Sequence, residues 1–74
     1  MTREDQAIQT MLDGAGAAGD VVTVVACRFA LTGGQDVSRL DAYELHRYEQ
    51  LNFDNSQERA HAWCLAQIAD WESK

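Results

Sequence analysis

Four side chains of this chain could bind a metal ion or act as a nucleophile, namely Cys27, His46, His61 and Cys64. His61 and Cys64 are spaced i, i+3, so on a helix both could reach one ion. A structural zinc site, however, needs four converging ligands, usually in two closely spaced pairs, and Cys27 and His46 stand alone. Apolar neighbours around both cysteines would raise the thiol pKa and suppress nucleophilic attack. The sequence therefore predicts no metal site, no cofactor and no enzymatic activity.

The charge balance indicates which macromolecules the chain could bind. Twelve acidic against six basic residues give a net charge of −6. Such a charge disfavours contact with phosphate backbones and anionic membranes, and it suits docking on a basic protein surface. No apolar run approaches the ~20 residues that cross a bilayer, and the polar start Met1–Asp5 does not resemble a signal peptide. We therefore expect a cytoplasmic protein that binds neither membranes nor nucleic acid directly.

A chain of 74 residues forms one domain at most, which we expect to be a single small helical domain spanning residues 1–74. Domains of this size bury a small share of their surface, and a disulfide, a metal or self-association usually supports them. Thiols stay reduced in the cytoplasm, so self-association is the expected support. The sequence therefore predicts a homodimer.

The valine-rich run Val21–Leu31 is the most ambiguous element. Its β-branched residues favour a strand, but no second segment has strand character, and a lone strand leaves its backbone groups unpaired. A helix has good boundaries, because Asp20 can cap its start and Gly33 or Gly34 can end it in a left-handed conformation. We predict a buried helix. The alternative is an α+β fold in which residues 21–31 form a strand paired across a dimer.

Helical periodicity predicts the remaining elements. They are a helix from about Arg3 to Leu12, a glycine-rich flexible link or helix stop at 13–19, a helix from about Val37 to Leu51 capped by Asp36, a turn at 52–55, and a helix from about Ser56 to Glu72 that Ser56 can cap. The predicted fold is therefore an all-α compact bundle of about three to four short helices. The predicted core is Ile8, Leu12, Val21, Val25, Phe29, Leu40, Tyr48, Leu51, Cys64, Ile68 and Trp71.

The third predicted helix has an apolar arc that contains charged residues. Glu44 falls inside the arc and Arg47 near its edge, at the i, i+3 spacing of a helical ion pair. One interpretation is a structural Glu44–Arg47 pair at the rim of the core, since an unpaired buried charge is costly. The other is a binding surface, because tyrosine and arginine are enriched at interface hot spots. The candidate partner-binding residues are Asp36, Asp41, Tyr43, Glu44, Arg47, Glu49 and, on an alanine-lined side of the fourth helix, Trp63.

A short stretch resembles the helix-turn-helix pattern of DNA-binding regulators. Ala30, Gly34 and Leu40 have the spacing of its small residue, its turn glycine and its apolar anchor. The sequence differs from this pattern in the helix that would contact DNA, because Asp41 and Glu44 occupy positions where basic side chains are needed. A helix-turn-helix transcriptional regulator is therefore an alternative function.

In size, acidity and lack of a catalytic constellation, the chain resembles the small proteins that bacteriophages and mobile elements encode. Many of those proteins occlude a host protein, and anti-CRISPR and other anti-defence proteins are examples. The resemblance implies a non-enzymatic protein-binding inhibitor that blocks a nucleic-acid-handling complex in a bacterial or phage-infected cell. Its acidic residues would cover the site that phosphates normally occupy. A structural or assembly subunit is a further alternative.

Overall fold

Helices account for all regular structure in residues 2–74, the part of the chain that this computed structural model describes. The elements are α1 (Arg3–Ala18), α2 (Val21–Thr32), a 3₁₀ turn (Val37–Arg39), α3 (Ala42–Glu49) and α4 (Gln57–Glu72). The predicted all-α bundle is confirmed. Because residues 21–31 lie within α2, the alternative in which they form a strand is wrong. No helix in the described part of the chain has the length and apolarity that crossing a bilayer requires.

The glycine-rich segment 13–19 is helical almost to its end, so a flexible link is wrong, whereas the alternative, a helix stop, is found at Gly19. α1 continues to Ala18 and stops only at Gly19, whose φ of 76° is left-handed. The buried residue Ala15 lies in the middle of this stretch and is 8% exposed. A glycine in a helix costs about 1 kcal/mol relative to alanine. Burial of one face of α1 in the bundle, together with the hydrogen bond from the Asp20 amide to the Ala15 carbonyl at 2.9 Å, outweighs that cost.

α2 is the central helix, and it begins and ends where the sequence predicts. The Asp20 carboxylate accepts hydrogen bonds from the Thr23 amide at 3.3 Å and from the Thr23 hydroxyl at 2.7 Å. Gly33 ends the helix with a φ of 81°. α2 packs against α1, α3 and α4, which is why it is buried over most of its circumference. Its buried residues are Val22, Val24, Val25, Ala26, Cys27, Phe29 and Ala30.

The segment predicted as one helix over 37–51 is divided in two. Residues 37–39 form the 3₁₀ turn, Leu40 is extended, and α3 starts only at Ala42. Asp41 caps α3 through a capping box with Glu44, in which the two backbone-to-carboxylate hydrogen bonds are 2.8 and 2.9 Å long. Asp36 makes no side-chain cap hydrogen bond, so its predicted role as the cap is wrong. The reciprocal capping box satisfies two backbone amides at once, and it therefore sets the start of the helix.

The core contains Ile8, Val25, Phe29, Tyr48 and Cys64 as predicted. Five other predicted members are half-buried at its edge: Leu12, Val21, Leu40, Leu51 and Ile68. Trp71 is 60% exposed, and its predicted place in the core is wrong. It borders a cleft whose α1 wall includes Ala7 and Gly14, and such small residues do not cover an indole ring.

Phe53 is a core residue that the sequence does not reveal, because it lies in the predicted turn. It is 4% exposed, and its ring packs against Phe29, Tyr48 and Trp63 at centroid distances of 6.2, 5.6 and 5.8 Å. The neighbouring residues Asn52, Asp54 and Asn55 have positive φ values of 55–58°. Asparagine and aspartate tolerate this left-handed conformation better than other side chains do. The sharp chain reversal therefore places Phe53 in the core.

Candidate functional site

The outward side of α3 carries two of the predicted partner-binding residues, Tyr43 and Arg47, both exposed. Tyr43 is 71% exposed, and the Arg47 guanidinium lies over its ring, 6.0 Å from the centroid. His46 and Gln50 share a side-chain hydrogen bond of 3.2 Å. These four exposed residues have the i, i+3, i+4, i+7 spacing of a single helical face. We call Tyr43, His46, Arg47 and Gln50 the α3 outer face.

The predicted Glu44–Arg47 pair does not form. The Glu44 carboxylate accepts the Asp41 amide in the capping box at 2.9 Å, and Arg47 instead lies over Tyr43. Glu44 is half-buried. Its carboxylate is stabilised by the hydrogen bond from the Asp41 amide and by the N-terminal end of the helix dipole, so it needs no cation. Asp41 and Glu49 remain exposed on either end of α3, where their charges face solvent.

Asp36 is separated from the α3 carboxylates by the 3₁₀ turn. Its carboxylate accepts the Ser38 hydroxyl at 2.6 Å and pairs with Arg39 at 3.8 Å. The Ser38 hydrogen bond, and then the positive charges of Arg39 and Arg28, hold the pKa of Asp36 below its usual value. The charge of this residue is therefore compensated by Arg39, whereas within residues 2–74 no salt bridge involves Asp41 or Glu49.

Trp63 lies in the aromatic cluster around Phe53 and is half-buried. Its ring meets Phe53 edge-to-face at an interplanar angle of 68°. Its main contacts are thus with the core, and only part of its ring could meet a partner. The structure therefore places the seven predicted residues in three locations: along α3, at the 3₁₀ turn and in the aromatic cluster.

The four residues with metal-binding or nucleophilic potential do not converge. The Cys27 and Cys64 sulfur atoms face each other at 3.9 Å inside the core, whereas His61 bonds to Asp5 and His46 to Gln50. Hydrogen bonding to Cys64, together with burial, raises the pKa of the Cys27 thiol. Within residues 2–74, no three His, Cys, Asp or Glu side chains are close enough to share a metal ion.

Two glutamines tie neighbouring segments together: Gln35, which follows α2, bonds α3 and the 52–55 turn, and Gln57 bonds α4 to α2. The Tyr48 hydroxyl donates to Gln35 Oε1 at 2.7 Å, and Gln35 Nε2 donates to Asn55 Oδ1 at 2.7 Å. Gln57 Nε2 donates to the Ala30 carbonyl at 3.0 Å. Burial raises the pKa of the Tyr48 hydroxyl, so it stays protonated and can donate. The two Gln35 bonds fix the orientation of the α3 outer face relative to the bundle. The spacing of the glutamines in the sequence does not predict these contacts.

Arg28 and Arg39 are further residues that the sequence analysis missed. They lie in one open groove of about 900 Å³ along α2, between α1 and the 3₁₀ turn. Each is an isolated basic residue in an acidic sequence, so no local pattern indicates that the two share a site. Only the path of residues 33–41 brings the 3₁₀ turn alongside α2.

The helix-turn-helix spacing is not accompanied by helix-turn-helix geometry. Residues 33–41 separate α2 from α3, whereas that motif joins its helices by a turn of about three to four residues. Leu40, which the pattern would place inside the second helix, lies outside both helices. The spacing of Ala30, Gly34 and Leu40 therefore does not mark a helix-turn-helix in this fold.

A pH-sensitive contact joins α1 to α4. His61 Nε2 donates to Asp5 Oδ1 at 3.1 Å, and this bond lowers the pKa of the Asp5 carboxyl from its usual value of 3.8. Because the folded pKa is the lower one, the contribution of Asp5 to stability is present above the unfolded pKa. It is lost as pH falls through the folded pKa. We expect the urea midpoint of wild type to exceed that of Asp5→Asn near neutral pH, and the difference to shrink as the pH falls below 3.8 and through the lower folded pKa.

Glu4→Gln is the matched control for this experiment, since Glu4 is an exposed carboxylate in the same first turn of α1. Its midpoint should follow wild type across the whole pH range. A difference between wild type and Asp5→Asn that is independent of pH would show that the Asp5–His61 contact is not electrostatic.

No known protein family, curated protein or solved structure matches this chain.

Proposed function

We propose that this protein is a non-enzymatic protein-binding protein that presents the α3 outer face to its partner. The observation that carries the proposal is Tyr43, which is 71% exposed with the Arg47 guanidinium over its ring. Tyrosine and arginine are enriched at interface hot spots, because each combines a large contact area with a polar group. The Tyr43–Arg47 contact also restrains both side chains before binding, which reduces the entropy lost on association.

The partner is a protein with a basic surface. The chain carries a net charge of −6, and the exposed carboxylates of Asp41 and Glu49 flank α3. Complementary charges of this kind accelerate association and set the orientation of docking. A basic surface that normally receives phosphates is a suitable target. We therefore propose an inhibitor that occludes a host nucleic-acid-handling complex, of the anti-CRISPR or anti-defence type, acting in the bacterial cytoplasm.

Self-association is part of the proposal. Trp71 is 60% exposed beside the α1–α4 cleft, and large exposed aromatic side chains are common in interfaces between subunits. A homodimer formed there would leave α3 on the outside. Such a dimer is compatible both with an inhibitor and with an assembly subunit.

The partner is sought by a pull-down of the tagged protein from bacterial lysate, with and without nuclease, followed by mass spectrometry. The proposal expects one host protein complex to be retained after nuclease treatment. Recovery that requires intact nucleic acid would instead support a protein that binds nucleic acid, without the helix-turn-helix geometry that the sequence spacing suggested.

Variants of the α3 region then test the surface itself. Tyr43→Ala is expected to weaken binding to the purified partner by about thirtyfold, corresponding to a hot spot of about 2 kcal/mol. The double variant Asp41→Asn/Glu49→Lys should slow association. Asparagine is used at position 41 because it also serves as a helix cap, so the capping box loses its charge without losing its acceptor.

The matched control for the charge change is Asp13→Asn/Glu58→Lys, which alters the net charge equally at two exposed positions outside α3 and outside the α1–α4 cleft. Binding should be unchanged in this variant. Equal effects of the two double variants would mean that only net charge matters. Full affinity in Tyr43→Ala would refute the α3 outer face as the binding surface.

A further inference from the structure

The two cysteines of this chain face each other across the contact between α2 and α4. The Cys64 Sγ lies 3.9 Å from the Cys27 Sγ, and both residues are 0% exposed. They are 37 positions apart and are the only two thiols in the sequence. The fold therefore brings together two reactive groups that the sequence separates, and it shields both of them from solvent.

Small buried residues adjoin the two thiols. Ala30 and Ala60 lie one helical turn from Cys27 and Cys64, respectively, and they are 3% and 0% exposed. Helices approach each other closely where the residues at the contact are small. The sulfur atoms of a disulfide are about 2.05 Å apart, so each Sγ would have to move by about 1 Å from the observed separation. Rotation of the two side chains about χ1 provides a movement of this size.

This pair gives the core a reaction that two alanines or valines would lack. Cysteine packs as a small apolar side chain, so burial alone does not require thiols at both positions. Two thiols in contact can be oxidised to a disulfide, which joins the sulfur atoms without adding any atom to the core. Because Cys27 belongs to α2 and Cys64 to α4, that bond would link the two helices covalently.

We propose that Cys27 and Cys64 are a redox-sensitive dithiol, which a low-molecular-weight disulfide such as oxidised glutathione converts to an intramolecular disulfide between α2 and α4. When the helices separate, the thiolate of one cysteine attacks the oxidant, forms a mixed disulfide and releases one glutathione thiolate. The thiolate of the other cysteine then attacks the protein sulfur of the mixed disulfide and releases the second glutathione thiolate. The protein loses two electrons and two protons, and oxidised glutathione gains them to become two thiols.

The disulfide would hold the bundle closed. It joins positions 37 apart, so it restricts the unfolded chain and stabilises the folded one. The effect is reciprocal, because the factor by which the disulfide favours folding is also the factor by which folding favours the disulfide. The thiols lie in the core and not on the α3 outer face, and their oxidation is independent of the function proposed above.

The test uses the full chain in two forms. One sample is treated with oxidised glutathione in urea and refolded by dilution, a second is kept reduced, and circular dichroism verifies that both are helical. In a urea titration the oxidised sample should have the higher midpoint, corresponding to a folding equilibrium constant at least about tenfold larger. Both samples are then equilibrated in mixtures of reduced and oxidised glutathione, and mass spectrometry measures the fraction of chains that have lost two hydrogen atoms. The equilibrium constant for disulfide formation should be larger in the folded than in the unfolded chain by the same factor.

Three variants serve as controls. Cys64→Ala keeps one thiol and cannot form the bridge, so oxidation should not raise its midpoint; the wild-type comparison stands alone if this variant does not fold. Phe53→Leu loosens the packing of the helices and should reach equilibrium faster than wild type, whereas Tyr43→Ala should not. The proposal is overturned if the oxidised chain is less stable than the reduced chain, if glutathione adducts or covalent dimers form in place of the bridge, or if Cys64→Ala gains equal stability on oxidation.

Discussion

Replacing Phe53 with alanine is expected to lower the free energy of unfolding by about 3–5 kcal/mol. The ring is 4% exposed and contacts Phe29 of α2, Tyr48 of α3 and Trp63 of α4. Its removal would leave a cavity at the point where these helices meet. Since small domains are stable by only about 5–15 kcal/mol, the variant should be close to unfolding at room temperature. Urea denaturation followed by circular dichroism measures the loss.

Two further variants make this result specific. Phe53→Leu keeps most of the apolar volume and should lose much less stability than Phe53→Ala. Tyr43→Ala removes a side chain that is 71% exposed and should leave the free energy of unfolding within about 0.5 kcal/mol of wild type. A loss below about 1 kcal/mol for Phe53→Ala would contradict the central position of this ring.

The two cysteines are expected to react with a thiol reagent such as Ellman's reagent at least about a hundredfold more slowly in the native protein than in denaturant. Cys27 and Cys64 are both 0% exposed and face each other at 3.9 Å. The raised pKa of Cys27, caused by its hydrogen bond to Cys64 and by burial, further reduces its thiolate fraction. Labelling therefore requires the helices to separate, and its rate reports how often they do.

The labelling rate of the cysteines and the stability of Phe53→Ala depend on the same opening of the helices. When opening is fast and reversible, the labelling rate follows the equilibrium population of the open state. Phe53→Ala should therefore accelerate labelling strongly, whereas Tyr43→Ala should not. Equal rates in native and denatured wild type would show that the Cys27–Cys64 region is accessible to solvent, contrary to the structure.

Helix boundaries that depend on local hydrogen bonds are readable in this sequence. Asp20 caps α2 and Gly33 ends it, as predicted, and Ser56, at the predicted start of the last helix, caps α4. Each of these signals acts within one turn of the backbone, so no distant residue is needed to interpret it. The Asp41–Glu44 capping box is equally local, but the apolar periodicity of residues 37–51 favoured an earlier start to the third helix.

The candidate site was only partly predictable, because some of its contacts lie within one helix and others join distant parts of the chain. A tyrosine and an arginine four residues apart on a helix must share a face, so the proximity of Tyr43 and Arg47 follows from spacing alone, whereas their exposure does not. Arg28 and Arg39 are eleven positions apart in the sequence and lie in different elements. Their common groove depends on the path of the chain between α2 and α3, which no local pattern specifies.

The sequence by itself determined the all-α class, the central buried helix α2 and the boundaries of α2 and α4, because these follow from side-chain polarity and hydrogen bonds within a few residues. Only the tertiary structure decided that α1 continues past Leu12 to Ala18, with Ala15 buried. It also decided that Phe53 lies in the core and that Trp71 lies outside it. These outcomes depend on which surface a neighbouring helix offers. Burial is a property of two elements together, and the free energy it contributes cannot be assigned from either one alone.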